Sequence, residues 1–205
     1  MGRHKTFNEV EVLSAVEKSF WSKGYASTSL DDIMVASGLG KGSIYATFGD
    51  KYGIFRRVFD RYCESVELST VTALAGPDDS ALQRLVDMLA RAASRTQGNE
   101  AQLACFLAKT TAELAQRDAE VAARSRQAFD EIALAIVGCI EQAQRAGDID
   151  PAADSRRLGR HTLVTLRGLE ALAEAGMSSD VLADAASVTI DALRSGGSRS
   201  VRAGT

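Results

Sequence analysis

The sequence predicts an all-α protein, and three observations carry that prediction. Only two prolines, Pro77 and Pro151, interrupt 205 residues rich in Ala and Leu, a composition that permits long helices. Apolar residues recur at helical spacing in segment after segment, and no stretch shows the strict alternation of a strand. Glycines, and the Gly76-Pro77 step, fall where those segments end.

The elements follow in order. Residues 8–23 read as an amphipathic helix. Asn8 is placed to cap it, Glu9 and Glu11 lie in its positive first turn, and Val12, Ala15, Val16, Ser19 and Phe20 repeat at helical spacing. Gly24 follows as a C′ residue would. Ser29 and Asp32 have capping-box spacing, with Asp in place of the usual Glu, and open a short second helix with Ile33 and Ala36 on its apolar side. Gly38 ends it. A third short helix fits Lys41 to Thr47 or Phe48. Two short helices separated only by Gly38-Leu39-Gly40 form a helix-turn-helix signature. Asp50 is placed to cap a fourth, longer helix through Leu74, and Gly76-Pro77-Asp78-Asp79 breaks the chain after it. Further helices fit residues 80–96, 101–116, 118–146, 154–175 and 179–194, which makes about nine in total. The Gly/Ser/Arg-rich stretch from Ser195 to Thr205 is expected to be disordered.

Composition narrows the function classes. Apolar residues make up 45% and charged residues 25%, as in a soluble globular protein. The longest apolar run, Ala133 to Ile140, is far shorter than the ~20 residues of a membrane helix. No apolar segment follows the N-terminal Met-Gly-Arg-His-Lys, so a cytoplasmic location is expected. Three cysteines without framework spacing fit a reducing compartment, and two histidines are too few for a His-rich metal site. No cofactor is expected. Gly38-Leu-Gly-Lys-Gly-Ser43 imitates part of a phosphate-binding loop, but Gly42 separates Lys41 from Ser43 and a helix precedes it. No nucleophile motif or convergent polar site is legible, so an enzyme is not expected. Net charge is −3 overall; residues 1–60 carry eight Lys/Arg against seven Asp/Glu, and the remainder is acidic. Any nucleic-acid binding must therefore come from local placement of charge.

One long stretch is specific. Gly24-Tyr-Ala-Ser-Thr-Ser-Leu-Asp-Asp-Ile33 leads to Ser37-Gly-Leu-Gly-Lys-Gly-Ser-Ile-Tyr45, then Ala46-Thr-Phe48-Gly-Asp-Lys51 and Ile54-Phe55. Over about residues 8–60 this resembles the DNA-binding domain of the TetR family, with the spacing of every landmark kept. The resemblance implies an N-terminal three-helix, helix-turn-helix domain over residues 1–49. It also implies a helical effector-binding and dimerisation domain over residues 50–195, before a tail at residues 196–205. The third helix then lies in the major groove. Lys41 reaches a guanine edge or a phosphate, Gly42 allows close approach, and Ser43 bonds a base or phosphate or caps its own helix. Tyr45 and Thr47 face the DNA backbone or a thymine methyl, or in the case of Tyr45 the core. The family often carries a larger His or Tyr at the place of Thr47. Lys51 holds a phosphate at the start of the fourth helix, and Thr28 and Ser29 do so at the second. Arg3 and Lys5 suit an arm over phosphates or the minor groove. The partner is double-stranded DNA carrying an inverted-repeat operator, bound by a homodimer. The rival reading is a helical ligand-binding dimer without DNA binding.

Ten of the twelve aromatic residues precede position 63, so a pocket in the C-terminal part is largely aliphatic. Met88, Leu103, Phe106, Leu107, Phe129 and Ile132 are its candidate lining, for a small apolar or electrophilic effector. Cys105 sits in Ala104-Cys-Phe-Leu-Ala-Lys-Thr-Thr-Ala-Glu113, similar to a pattern in TetR-type repressors that sense electrophiles through a cysteine. Lys109 lies one turn on and favours thiolate; the other reading of Cys105 is a small buried hydrophobe. The last two helices fit a dimer interface through Leu158, Thr162, Thr165, Leu166 and Leu169 on one, and Leu182, Ala185, Ala186, Thr189 and Leu193 on the other.

Overall fold

The computed structural model describes residues 7–94 and 105–196, and all the regular structure among these is helical. Arg3, Lys5, Leu103 and residues 197–205 of the expected tail lie outside the described residues. Among the described residues the chain forms nine α-helices: α1 (Glu9–Ser27), α2 (Leu30–Ser37), α3 (Lys41–Phe48), α4 (Lys51–Leu74), α5 (Ala81–Ala93), α6 (Phe106–Leu114), α7 (Ala119–Ala146), α8 (Ser155–Glu174) and α9 (Ser179–Arg194). A 3-10 turn, Asp78–Ser80, leads into α5. The helices expected from spacing are thus present, with ends shifted by a few residues.

The described chain packs as two compact units. One joins the segment up to Ser65 to Cys105–Arg126, and the other runs from Val66 and resumes at Gln127. Helices α4 and α7 each contribute residues to both.

The first unit is built on aromatic residues. Val12, Val16 and Phe20 of α1 are buried at the expected helical spacing, as are Ile54, Phe55, Val58 and Phe59 of α4. Phe20 meets Phe55 edge-on at 5.3 Å, and Phe59 and Tyr62 both meet Phe106 of α6 near perpendicular, at 6.0 and 5.3 Å. Each such pair adds about 0.5–1.5 kcal/mol beyond the area it buries. Phe106 therefore belongs to this aromatic core. That corrects its expected place in an effector pocket.

Three local devices set the helix-turn-helix. Asn8 caps α1, its side chain accepting from Val10 N–H at 3.0 Å. Ser29 and Asp32 form the expected capping box at α2: Ser29 Oγ accepts from Asp32 N–H at 3.0 Å, and Asp32 accepts from Ser29 N–H at 2.8 Å. The Lys23 ammonium, 2.6 Å away, and then the Ser29 N–H and hydroxyl hold the Asp32 carboxyl well below the usual carboxylate range. Gly38 closes α2 in the left-handed region at φ 67°.

The second unit is aliphatic, as the aromatic count implied. Helices α5, α8 and α9 bury Leu85, Leu89, Leu158, Leu166, Leu169, Leu182 and Leu193 against one another. Cys139 of α7 is buried in the same unit, and burial pushes its thiol up. Arg84 of α5 ties the turn after α4, donating to Leu74 O at 2.9 Å and Pro77 O at 2.8 Å. Among the described residues no helix is long and apolar enough to cross a membrane.

Candidate nucleic-acid interface

Helix α3 is eight residues long, and the ~10–12 Å diameter of an α-helix fits the ~12 Å width of the major groove. Ile44 and Phe48 anchor it, at 0% and 6% exposure. The opposite face is open: Lys41, Gly42, Ser43, Tyr45 and Ala46 are exposed. Tyr45 shows 47% of its surface to solvent, although nothing but the fold decides between its core and surface readings. The Lys41 ammonium sits 5.9 Å from the centre of the Tyr45 ring. The N-cap of α3 is Gly40, which has no side chain to spend on the helix, and the first turn holds no acidic residue. The N–H groups of this first turn and the Lys41 charge thus point the same electrostatic sign outward.

Other expected contacts divide. Thr47 is half-buried, and its carbonyl accepts from Arg57 at 3.3 Å. Lys51 stands at the start of α4 as expected. Its ammonium donates to Ala26 O at 3.4 Å and lies 4.4 Å over the Tyr25 ring, so it is held beside the α1–α2 corner with further donors available. Ser29 is exposed, but its hydroxyl is engaged in the capping box. Thr28 is fully buried. Its hydroxyl donates to Gly24 O at 2.7 Å, so the expectation that its side chain holds a phosphate is corrected: it closes the corner from inside.

Spacing gave no signal for what holds this reading head in place. Gly24 sits at φ 79°, ψ 169°, a region open essentially to glycine alone, and the helix resumes after it through Ser27. The Glu113 carboxylate of α6 supplies the missing cap, accepting from Tyr25 N–H at 3.0 Å and Ala26 N–H at 2.8 Å. A Cβ at Gly24 would fall 2.8 Å from Glu113 Oε2. One helical face of α4 is tied to the start of α7 at three successive turns. Tyr52 Oη donates to Asp118 at 2.6 Å, Arg56 pairs with Glu120, and Asp60 pairs with Arg124 at 3.7 Å. Burial and then the Asp118 hydrogen bond push the Tyr52 phenol up. Burial alone would raise Asp118. The hydrogen bonds from Tyr52 and the N–H groups of Val121 and Glu120 outweigh it and hold that carboxyl low.

Two family models match the chain: "Bacterial regulatory proteins, tetR family" over residues 12–58, and "Tetracyclin repressor-like, C-terminal domain" over residues 81–189. The chain is also 30% identical to the HTH-type transcriptional repressor ComR of Escherichia coli K12, over 92% of this chain and 90% of that protein. The chain belongs to the TetR family. It is a TetR-type DNA-binding transcriptional regulator. Among solved structures, a TetR transcriptional regulator from Chloroflexus aurantiacus superposes with a TM-score of 0.74 at 26% identity, covering 90% of this chain and 92% of that one. The TetR family regulator CifR, as a cysteine mutant crystallised with 26-bp operator DNA, gives 0.72 at 21% identity, covering 93% and 99%.

The TetR-type C-terminal domain departs from the sequence expectations in detail. The expected pocket residues do not come together. Cys105 and Phe106 pack in the first unit, Ile132 is buried in α7, Phe129 is half-buried, and Met88 lines a groove. Cys105 is 5% exposed and takes a hydrogen bond from Tyr62 Oη at 3.8 Å; Lys109 is half-buried. The groove with Met88 has a volume of 360 Å³ and lies among Val66, Thr70 and Ala73 of α4, Ala92 of α5 and Leu166 of α8. Arg167 and Glu170, paired at 2.9 Å, border it.

The residues expected at a dimer interface also move. Leu158, Thr162, Leu166, Leu169, Leu182, Thr189 and Leu193 are all buried inside the protomer, joining α8 to α9 and α5; Ala185 remains exposed. Leucine-rich stripes fill the larger gap within the fold. The opposite faces carry smaller, exposed apolar residues: Val164 at 71% and Val188 at 67%, with Leu172 and Val181 beside them.

Proposed function

We propose that this TetR-type regulator is a repressor. It binds an inverted-repeat operator as a homodimer and leaves it when a small molecule with an apolar part occupies the α4–α5–α8 groove. The observation that carries the DNA half is the exposed, uncapped, acid-free first turn of α3, with Lys41, Gly42, Ser43 and Tyr45 on one open face. Gly42 lets the backbone approach a phosphate or base edge, while Lys41 and Tyr45 supply charge and a hydroxyl. Lys51 supports a neighbouring phosphate from the α4 N-terminus. The partner being DNA, the place of action is the cytoplasm. ComR is named as a repressor, and the CifR mutant was crystallised on operator DNA; both names favour the same reading. An open Lys41–Tyr45 face disfavours a ligand-binding dimer that has no DNA partner.

The dimer half is supported by the exposed valine stripe on α8 and α9, a face with Gly168, Ala171 and Ala185 that allows close helix approach. Two copies present two α3 helices to half-sites about 34–36 Å apart. Effector control follows from connectivity. Val66, Thr70 and Ala73 line the groove on the same helix that begins beside α3. A molecule that binds one α4 arrangement better than the other shifts the population by that differential affinity. Val66, Ala73, Met88, Ala92 and Leu166 give the groove an apolar side, Ser69, Thr70, Arg91, Arg167 and Glu170 give it a polar one, and its volume lies in the range of small-molecule sites.

Selection of bound fragments from sheared genomic DNA by the purified protein tests the reading. The expected result is a recovered inverted repeat with half-site centres about one helical turn apart. Recovery of a single, unrepeated site, or no enrichment over random fragments, overturns it.

A further inference from the structure

The face that α3 turns outward carries no hydrogen-bonding side chain at its centre. An α-helix advances by about 100° per residue, so Ile44 and Phe48, one turn apart and both buried, fix the anchored side of α3. Gly42 and Ala46 each stand two residues from an anchor and so lie on the opposite side, furthest from the core. Both are exposed, and space is open for 4 Å around the point where a Cβ would stand at Gly42. Ser43 and Tyr45 are exposed on the two flanks of this crest. Lys41, three residues before Ile44, leaves the helix near its rim and is exposed as well. Thr47, one residue before Phe48, is half-buried.

A crest of glycine and alanine has two consequences. No long side chain holds the helix off the groove floor, so its backbone can come close to the base edges. What meets the floor is then the Ala46 methyl. Set against a purine N7, a carbonyl oxygen or an amino group, that methyl takes water from a polar edge and returns no hydrogen bond. The C5-methyl of thymine is the one apolar substituent that the four bases present in the major groove. The polar groups of Ser43, Tyr45 and Lys41 remain for neighbouring bases and phosphates.

We propose that Ala46 is a specificity-determining residue, reading one thymine in each operator half-site through its 5-methyl group. The proposal rests on the reading that α3 enters the major groove and goes further, naming the base and the chemical group recognised. The thymine-methyl contact expected of Tyr45 or Thr47 passes to Ala46, because Thr47 is half-buried and Tyr45 stands on a flank beside the Lys41 ammonium. Recognition of this kind is a packing contact. It therefore discriminates thymine from the same base without its methyl, although the two pair identically and offer the same O4.

Duplexes carrying the inverted repeat recovered from genomic fragments test this, with thymines replaced by deoxyuridine one position at a time in both half-sites. Binding to the full-length protein is followed by fluorescence anisotropy. Wild type should lose roughly fourfold per half-site at one thymine position, the factor that one buried methyl group is worth, and so roughly tenfold or more over both. Ala46→Gly should bind the thymine and deoxyuridine duplexes equally at that position. Its own cost to the helix cancels, because the ratio is taken within one protein, and the wild-type scan needs no variant at all. A half-site without thymine, or a wild type indifferent to deoxyuridine at every position, overturns the methyl contact; α3 stays in the groove if Lys41→Ala still binds that operator more weakly. A thymine-to-deoxyuridine ratio unchanged in Ala46→Gly gives the methyl to another side chain and also overturns the proposal. Failure to recover any inverted repeat overturns the operator reading, and this proposal with it.

Discussion

Gly53 makes a demanding test of how α3 is held, because two physical arguments predict opposite signs for Gly53→Ala. Gly53 lies in the first turn of α4, and helix propensity alone favours alanine there by about 1 kcal/mol. For a chain of this size that is a rise in Tm of about 2–4 °C. Yet a Cβ at Gly53 would stand 1.8 Å from the Phe48 carbonyl oxygen and 3.0 Å from its carbon. These are backbone atoms at the end of α3, so no side-chain rotation relieves the overlap. Either α3 or α4 must shift by more than an ångström. Asp50, whose carboxylate takes the Gly53 N–H at 2.7 Å, resists that shift. Overpacking of this kind costs about 1–3 kcal/mol and at times more. With backbone on one side of the contact, the upper end applies, and the net loss after the propensity gain is about 2 kcal/mol. Thermal unfolding followed by far-UV circular dichroism should therefore show Tm lowered by about 4–8 °C. A gel shift should show weakened operator binding at temperatures where the variant is fully folded, because α3 is displaced. A variant as stable as wild type, or more so, refutes the close α3–α4 junction.

Three further outcomes are expected. Glu113→Gln leaves the two N–H groups after Gly24 with a weaker acceptor; a loss of about 1–2 kcal/mol in chemical denaturation is expected, and an unchanged midpoint contradicts the cap. Asp32 has a depressed carboxyl pKa in the folded state, so its stabilisation is present above the ordinary carboxylate value of about 4 and is lost as pH falls towards the folded value. Asp32→Asn should thus lower Tm at neutral pH and progressively less below pH ~4, and a difference that grows on acidification would have the wrong sign. Cys105 is buried and bonded to Tyr62, so N-ethylmaleimide should label it in the folded protein far more slowly than in denaturant, with operator binding kept over that time. Prompt release of DNA from wild type but not from Cys105→Ser would instead make the thiol the sensor.

What the sequence made legible was local. The capping box of Ser29 and Asp32, the left-handed Gly38 and the short helix from Lys41 all rest on residues within a few positions of one another, and all are present. Contacts across the chain were not legible. Glu113 caps backbone N–H groups 87 and 88 residues earlier, and no spacing rule connects them. Phe106 was expected among the lining of a largely aliphatic pocket, but its partners, Phe59 and Tyr62, come from α4. Thr28 reads as a surface hydroxyl until the corner at Gly24 turns it inward. On α8 two apolar stripes share one helix. Leucine content marked one of them, and burial within the protomer claimed it, leaving the valine stripe outside. Periodicity finds such stripes without saying which neighbour each one meets.

The central claim is that the open tip of α3 meets DNA, and the salt dependence of operator affinity for wild type and Lys41→Ala tests it most directly. The expected result is affinity lower by roughly tenfold or more at fixed salt. If the lysine grips a phosphate, the slope of log K against log salt is also shallower by about 2 for the two copies in the dimer. Identical affinity and identical slope in the two proteins would mean that Lys41 does not touch the duplex, and the groove-entering role of α3 would fall with it.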